Sequence, residues 1–360
     1  MKDRSKFFLI MIVAANIFIL QSCLKDDITN TVIPSLSNNA LLLSYIETNG
    51  NYINSNEMPS IVDVDELYNN LNKYLIIDVR TMEEYSTGHI PGAINVQNDS
   101  LIDFLNSKAD TIQYPKIIIV SSTGQSSAYF TSLLRIYGLN NVYSLNFGMA
   151  LWNRVFSGTW IEHAKDQEIA HHLAGSKPYP SNPNMKLPDI QIDLQDRSIK
   201  DKIKNRIANI IKDGFDSQAL VILSLPDTTL DNGRQIINFY FSSEPISDFY
   251  TINITPPQPS GSLPGSYFYE IKDFKSSSNI QTIPPDKKIV IYSVSGQISA
   301  FVTAYLRVLG YNAKSLLYGE NGYINSWMTS APEILIIFKP YVFLTEGIRN
   351  YPYVTGLSPK

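Results

Sequence analysis

KIIIVSSTGQSSA, at Lys116–Ala128, and KIVIYSVSGQISA, at Lys288–Ala300, are two versions of one sequence pattern. Each begins with a continuous run of apolar, β-branched residues, typical of a strand buried on both faces of a parallel sheet. Each then passes through a short polar loop with a glycine into a helical pattern that ends at another glycine. Strand, loop and helix in this order predict an α/β fold with right-handed crossovers.

The two stretches indicate that a larger segment has been duplicated. They align at a constant offset of 172 residues, and no gap is needed across 23 positions. The identical residues of the first copy include Lys116, Ser121, Gly124, Gln125, Ser127, Ala128, Thr131, Leu134, Arg135 and Gly138. Because chance identity over such a span is rare, the chain is predicted to contain two copies of one domain.

Length and composition also favour two domains. The 360 residues exceed what a single hydrophobic core ordinarily contains. A proline-rich stretch between the copies, Lys177–Pro188, is typical of an extended linker. The predicted segments are a signal peptide at 1–22, a tether at 23–45, a first domain at 46–165, a linker at 166–188, a second domain at 189–345 and a tail at 346–360.

The start of the chain predicts export and lipid attachment. Basic residues precede an apolar run at 7–20, which is too short for a comfortable membrane span and is typical of a signal peptide. Leu20–Cys23 (LQSC) contains the only cysteine and resembles the lipobox of bacterial lipoproteins, which implies cleavage before Cys23 and its acylation. The alternative is a buried structural cysteine. Lipidation implies anchoring in the cell envelope, at the outer membrane, and leaves surface exposure open.

The charge of the chain argues against nucleic acid as a partner. The net charge is −4, and removal of residues 1–22 leaves 26 basic against 32 acidic residues, a net charge of −6. Nucleic-acid binding requires basic patches, which an acidic body does not favour. We therefore expect an envelope protein as partner, and membrane contact through lipid at Cys23.

Three further motifs accompany the first loop. They are Asp78–Tyr85 (DVRTMEEY), Gly88–Asn95 (GHIPGAIN) and Asn146–Trp152 (NFGMALW). With the loop they resemble, in content and in order, the rhodanese-like sulfurtransferases over residues 60–153. The resemblance implies a small parallel sheet flanked by helices, with the functional loop at the carboxyl edge of the central strand.

The second half resembles the same family less closely. Gly261–Ser266 (GSLPGS) is similar to the GHIPGA motif, with Ser262 where His89 stands in the first half. The apolar run Ala219–Leu223 is not followed by Asp-Val-Arg, and the segment 226–259 is longer than the family's. We expect a diverged rhodanese-like domain that carries an insertion.

Serine occupies the position of the family's catalytic cysteine in both loops, at Ser121 and Ser293. The family transfers sulfur through a cysteine persulfide, which requires a thiolate. A serine hydroxyl stays protonated at neutral pH and cannot carry sulfur as a persulfide. The resemblance therefore implies a protein without sulfurtransferase activity, and an active sulfurtransferase is the alternative. A serine hydrolase is disfavoured because no histidine lies in either loop.

Both loops still place backbone amides at the start of a helix, where small oxyanions bind. We expect either a retained oxyanion site or, as an equal alternative, a loop without a ligand. The candidate residues are Ser121, Ser122, Thr123, Gly124, Gln125, Ser126 and Ser127 in the first loop, and Ser293, Val294, Ser295, Gly296, Gln297, Ile298 and Ser299 in the second.

Asp78, Arg80 and His89 are expected to frame the first pocket. For Asp78 and Arg80 the alternatives are a pocket wall or an ion pair that fixes the strand end, and we favour the ion pair. His89 is expected to be structural and hydrogen-bonded. Three further histidines lie near acidic residues without a familiar ligand spacing, so neither a metal nor another cofactor is predicted; they are His163, His171 and His172.

Overall fold

Two parallel sheets form the framework of the protein, and helices flank both, which confirms the predicted α/β fold. The computed structural model describes residues 37–107, 113–181, 185–194, 198–232, 234–256, 260–330, 336 and 338–357. Residues 38–360 form one compact unit. The predicted signal peptide at 1–22 and Cys23 therefore lie outside the described part of the chain.

The first sheet contains β1 (Ile61–Val62), β2 (Leu75–Asp78), β3 (Ile94–Asn95), β4 (Ile117–Val120) and β5 (Val142–Leu145). Its spatial order is β1-β5-β4-β2-β3, and every neighbouring pair is parallel. β4 is central and all four of its residues are buried, as its continuous β-branched run predicts. The first polar loop follows β4 directly and so lies at the carboxyl edge of the sheet.

The second sheet contains six strands, and the chain also forms three antiparallel strands. In chain order these strands are β6 (Lys177–Pro178), β7 (Leu220–Val221), β8 (Leu223–Asp231), β9 (Arg234–Phe241), β10 (Glu244–Pro245), β11 (Phe249–Asn253), β12 (Tyr267–Phe268), β13 (Lys288–Tyr292) and β14 (Ala313–Leu316). The parallel order is β6-β12-β11-β13-β14-β7. Without β6, this order repeats that of the first sheet strand for strand.

Helices cover both sheets. They are α1 (Asn38–Thr48), α2 (Val64–Tyr68), α3 (Met82–Thr87), α4 (Leu101–Ser107), α5 (Gln125–Tyr137), α6 (Met149–Trp152), α7 (Gly158–His163), α8 (Ile199–Asp213), α9 (Gln297–Val308) and α10 (Asn321–Ser330). α3 begins with a capping box formed by Thr81 and Glu84, and α5 ends at Gly138 in the left-handed conformation. Among the described residues, no helix combines the length and the hydropathy needed to cross a membrane.

The antiparallel strands β8, β9 and β10 form the insertion expected in the second half. They pair in the order β10-β9-β8 and lie in the chain between β7 and β11. The first half has only a short connection with α2 at the corresponding place, between β1 and β2. The extra strands begin at Leu223, slightly before the expected 226, and end at Pro245, well before the expected 259, because Phe249–Asn253 is β11 of the parallel sheet.

Two of the predicted connecting segments are parts of the folded unit. The tether predicted at 23–45 is wrong from residue 38 onward, because Asn38–Thr48 forms α1 and buries Leu42, Leu43 and Ile46. The linker predicted at 166–188 is extended at Lys177–Pro178, yet these residues pair with β12 as an edge strand. The apolar face of α1 is short and lies between polar residues, so the sequence pattern did not indicate a buried helix. Proline does not prevent the pairing of β6, because an edge strand tolerates it.

The predicted tail at 346–360 packs against the first half as far as it is described. The backbone of Val354 exchanges two hydrogen bonds with that of His89, at 2.9 and 3.0 Å. Trp152 donates its indole N–H to the Pro352 carbonyl at 2.9 Å. Arg349 Nε lies 2.6 Å from Asp65 Oδ1. The tail therefore completes the surface of the half that lies farther from it in sequence.

The two halves share one hydrophobic core. Helices α5 and α9 pack against each other, and Ser132 of α5 donates a hydrogen bond to the Phe301 carbonyl of α9 at 2.9 Å. A single buried cluster includes Leu133 and Tyr129 from α5 together with Phe301 and Tyr305 from α9. The halves are therefore expected to unfold together.

We expect Leu133→Ala to lower the free energy of unfolding by about 2–5 kcal/mol, because it leaves a cavity in the shared core. Urea denaturation followed by circular dichroism measures this. The control is Leu230→Ala, at a side chain that is 78% exposed, which should change stability by about 0.5 kcal/mol or less. Two separate unfolding transitions, with only one shifted by Leu133→Ala, would contradict the shared core.

Candidate functional site

The candidate site consists of two polar loops, each between a central strand and the helix that follows it. Ser121 comes directly after β4, and α5 begins at Gln125. Ser293 comes directly after β13, and α9 begins at Gln297. Both loops therefore lie where sequence reasoning predicted, at the carboxyl edges of the central strands.

The hydroxyl of Ser121 points into its own loop. Its oxygen accepts hydrogen bonds from the backbone N–H groups of Gly124, at 3.1 Å, and Ser127, at 3.2 Å. It also donates to the Ser127 hydroxyl at 3.1 Å, and Ser127 lies 2.8 Å from the hydroxyl of Ser144. Ser121 is only 1% exposed. The Ser121 hydroxyl is therefore held by two amides of its own loop.

The second loop repeats this arrangement. The Ser299 backbone N–H donates to the Ser293 hydroxyl at 3.1 Å, and the two hydroxyls lie 3.4 Å apart. Ser299 in turn lies 2.9 Å from the hydroxyl of Ser315. Ser144 and Ser315 occupy corresponding positions in β5 and β14. A row of three buried serine hydroxyls thus fills the base of each loop.

The two loops are joined to each other by a reciprocal pair of glutamines. The side-chain amide of Gln125 donates to the carbonyls of Gly296, at 3.2 Å, and Leu316, at 3.1 Å, and its oxygen accepts from the Tyr318 N–H at 2.7 Å. Gln125 is fully buried. Its contacts close the second loop from the side of the first half.

Gln297 makes the matching contacts in the opposite direction. Its amide donates to the Gly124 carbonyl at 3.2 Å, and its oxygen accepts from the Phe147 N–H at 3.0 Å. A Cβ on Gly124 would overlap the Gln297 side chain, and Gly124 also has a positive φ of 88°. Glycine is therefore required at this point by both the backbone and the neighbouring half.

The outer part of the first loop is less enclosed. Ser122 and Thr123 are half-buried, and the Ser122 hydroxyl donates to Glu84 at 2.8 Å. Trp160 donates its indole N–H to the Thr123 carbonyl at 3.2 Å. Ser126 is half-buried at the start of α5. The oxyanion site predicted for these loops stays a prediction, since no observation tests it.

Asp78 and Arg80 form a buried ion pair at the end of β2. The closest contact, between Arg80 Nη2 and Asp78 Oδ2, is 2.6 Å, and Arg80 also donates to the Gly88 carbonyl at 2.8 Å. His89 is buried, lies 2.9 Å through Nδ1 from the Tyr85 carbonyl, and stacks on the Tyr85 ring. These three side chains fix the strand end and the following turn.

The second half has a neutral counterpart of this ion pair, which sequence reasoning missed. Asn253 in β11 occupies the position in the second sheet that Asp78 occupies in the first, since each pairs with the last residue of the central strand. Its Oδ1 accepts from the Thr255 backbone N–H at 2.8 Å, just as Asp78 Oδ1 accepts from the Arg80 backbone N–H. Asn253 also donates to the Ser262 hydroxyl at 2.9 Å. The apolar run Ala219–Leu223 is not the counterpart of β2, because it contains β7, which lies at the edge of the sheet.

The remaining histidine candidates take part in local packing. His163 lies 2.8 Å through Nδ1 from the Thr159 carbonyl and stacks on the Tyr318 ring. His172 lies 3.5 Å from Glu168. Within the described ranges, no three His, Asp or Glu side chains are grouped so as to hold a metal ion.

Glu320 is a buried carboxyl beside the second loop, and no sequence motif pointed to it. It follows Gly319, its backbone N–H donates to the Ser293 carbonyl at 3.0 Å, and its side chain is 1% exposed. Burial raises the pKa of Glu320 to about 8, and the nearby Thr255 hydroxyl opposes this only in part. The carboxyl is therefore mainly protonated at neutral pH.

The comparisons with known proteins identify the family. Residues 63–154 match the family model of the rhodanese-like domain. Thiosulfate sulfurtransferase GlpE from Pseudomonas entomophila is 33% identical over 85 residues, which are 23% of this chain and 74% of that protein. This chain belongs to the rhodanese-like family. Its rhodanese-like domain, at 63–154, contains Asp78, Arg80, His89 and the whole first loop.

Solved structures of rhodanese-like proteins also resemble the chain. The rhodanese-like domain protein from Staphylococcus aureus is 32% identical and covers 25% of this chain and 87% of its own, with a TM-score of 0.22. Thiosulfate sulfurtransferase from Pseudomonas aeruginosa is 12% identical and covers 87% of this chain and 70% of its own, with a TM-score of 0.25.

The buried carboxyl makes a pH-dependent contribution to stability. Because the folded pKa of Glu320 is about 8 and its ordinary value is 4.5, the unfolded chain releases this proton first as the pH rises. Glu320 therefore destabilises the fold progressively above about pH 4.5, and the effect levels off above about pH 8. Relative to Glu320→Gln, the wild type should lose about 3 kcal/mol of unfolding free energy between pH 5 and pH 8.

Urea denaturation of both proteins at several pH values measures this difference. Glu83→Gln, at an exposed glutamate of α3, is the matched control and should show no such divergence. A constant difference between wild type and Glu320→Gln from pH 5 to pH 8 would contradict the raised pKa.

Proposed function

We propose that this protein is a non-catalytic, tandem rhodanese-like protein that serves as a binding or assembly module of the cell envelope. The observation that carries the proposal is the state of the two loops. Each has serine in place of the family's cysteine, and each serine hydroxyl is bonded to amides or hydroxyls of its own loop. The loops are used for structure, which leaves the outer surfaces for binding.

The chemistry of serine supports this proposal. Sulfur transfer through a persulfide needs a group that is partly a thiolate near pH 7, and loop amides can lower a thiol pKa that far. A hydroxyl begins from a much higher pKa, so the same amides leave it protonated. Moreover, no histidine is hydrogen-bonded to Ser121 or Ser293 among the described residues, so neither has a base to activate it.

The enclosure of the loops supports it independently. Gln125 and Gln297 are fully buried, and each bonds the backbone of the opposite loop. Ser121 and Ser293 are themselves almost fully buried, although Ser293 lines a cavity of about 240 Å³ beside the second loop. The pair of halves is better suited to act as one rigid body that presents its surfaces to a partner.

The tandem arrangement rests on the second sheet. Its strands repeat the order of the first sheet, and Asn253 and Ser293 take the register of Asp78 and Ser121. We infer a second, diverged rhodanese-like domain that gained the β8–β10 insertion and β6. The envelope location rests on Cys23 and its lipobox, which lie outside the described residues.

An envelope sulfurtransferase is the alternative, and the name of the relatives as thiosulfate sulfurtransferases favours it. The two functions differ in whether the unmodified protein turns over thiosulfate. We expect no thiocyanate above the buffer control when the full chain is incubated with thiosulfate and cyanide. Turnover by the wild type that Ser121→Ala or Ser293→Ala abolishes would refute the non-catalytic proposal.

Ser121→Cys tests the enclosure of the first loop. A thiol at this position should react with a thiol reagent roughly tenfold or more slowly than in urea, because it is reached only through local opening. Ser122→Cys, at the half-buried neighbour, is the matched control and should react faster. Rapid labelling of Ser121→Cys, or sulfurtransferase activity in that variant, would show an accessible pocket that lacks only the thiol.

Lipid attachment is tested by expression in a bacterial host with labelled palmitate. The wild type should incorporate the label and fractionate with membranes, because two or more acyl chains anchor stably where one does not. Cys23→Ser should lose the label, and Ser22→Ala, which keeps the cysteine, should retain it. An unlabelled wild type would remove the basis for the envelope location.

A further inference from the structure

A cavity of about 310 Å³ lies at the edge of the first sheet opposite to the loops. It forms where α1 and the segment that follows it meet the end of α5. This volume is at the lower end of the range of small-molecule sites. The residues that matter for its chemistry are Tyr45, Asn49, Tyr52, Ser55, Glu57 and Arg135.

Arg135 supplies a buried cation to this cavity. Its side chain is 3% exposed, its Nε donates to the Val142 carbonyl at 2.8 Å, and it lies between the rings of Tyr52 and Tyr143. Its Nη2 has no hydrogen-bond partner among the described residues. Burying a guanidinium N–H without an acceptor is unfavourable, so the Arg135 side chain would gain from an acceptor supplied by a ligand in the cavity that it lines.

The neighbouring acid does not satisfy the arginine. Glu57 Oε2 lies 3.8 Å from Arg135 Nη1, which is longer than a hydrogen bond, and the Glu57 side chain is 67% exposed at the rim. The cavity thus contains a positive and a negative group close together, and both retain free hydrogen-bonding capacity. The rest of its wall is partly apolar and partly polar, and besides the residues already named it includes Ile46, Gly50, Ile136 and Asn140.

The repeat shows what is particular to Arg135. Arg307 corresponds to it, and its Nη1 donates to the backbone carbonyls of Gln218, at 3.0 Å, and Ala313, at 3.3 Å. Both arginines thus bind backbone, and each has one buried nitrogen without a partner among the described residues, Nη2 of Arg135 and Nε of Arg307. What distinguishes Arg135 is the cavity that it lines beside the carboxylate of Glu57.

We propose that this cavity binds a small zwitterion, an α-amino acid, through Arg135 and Glu57. A guanidinium recognises a carboxylate, and the carboxylate of Glu57 recognises an ammonium group. An α-amino acid carries both charges on one carbon, which matches two opposite charges that lie 3.8 Å apart. A doubly charged phosphate fits less well, because Glu57 cancels the single positive charge of the site.

The test is calorimetric titration of the full chain with each standard L-amino acid. For the tightest binder, the titration is repeated with its analogue lacking the ammonium group, its analogue lacking the carboxylate, and inorganic phosphate. We expect one or more amino acids to bind, and both analogues to bind about tenfold more weakly or worse. Equal or tighter binding of phosphate, or no binding by any amino acid, would overturn the proposal.

Glu57→Gln and Arg135→Lys locate the site. Glu57 is exposed, so its variant should fold normally and bind the amino acid about tenfold more weakly, with little change for the analogue lacking ammonium. Arg135→Lys should weaken the binding of the amino acid and of that analogue to the same extent, because lysine lacks the planar guanidinium that binds a carboxylate through two hydrogen bonds. Glu83→Gln is the matched control for charge. Amino-acid affinity that neither variant changes would place binding elsewhere and refute the assignment.

Discussion

The reciprocal hydrogen bonds of Gln125 and Gln297 are the contacts on which the arrangement of the two halves depends. A glutamine side chain carries both donors and an acceptor, so one residue can satisfy a carbonyl and an N–H of the opposite loop together. Both glutamines are fully buried, where an unmet amide would be costly. The loops, the glycines and the ends of β5 and β14 must therefore keep their positions relative to each other. This requirement links the backbone of one half directly to that of the other.

Serine in place of cysteine is consistent with this structural use. A hydroxyl oxygen is small enough to accept from Gly124 and Ser127 within hydrogen-bond distance and still contact a second serine. Two loop amides then donate to the chain's own side chain. The same geometry around a thiolate would stabilise a negative charge. In the non-catalytic function that we propose, the exchange of sulfur for oxygen at this position turns an activating environment into a structural one.

The sequence predicted those parts of the molecule that depend on local patterns. The β-branched run at Ile117–Val120 and the glycine at Gly138 both mark elements that the structure contains. The order of motifs around Asp78 and His89 was enough to predict the rhodanese-like domain, which the comparisons confirm at 63–154. Each of these signals lies within a few residues of the element that it predicts.

Features that depend on distant contacts could not be predicted in this way. α1 has only a short apolar face and is stabilised by burial against both halves. β6 is a strand only because it pairs with the free edge of β12. Gln125 and Gln297 were included as loop residues, yet nothing local indicated that each would bond the opposite loop. The sequence marks Arg135 only as a residue that is identical in both copies of the repeat. Its cavity arises from α1, which sequence reasoning treated as a tether.

The return of residues 346–357 to the first half also constrains how the molecule is made. Trp152, His89 and Asp65 find their partners in a segment that is synthesised after both sheets. Until that segment arrives, the earlier half keeps an aromatic surface and open backbone groups exposed to water. Folding of the first half is therefore coupled to a segment that follows both sheets in the chain, and we expect this surface to be open to non-native contacts while that segment is still being synthesised.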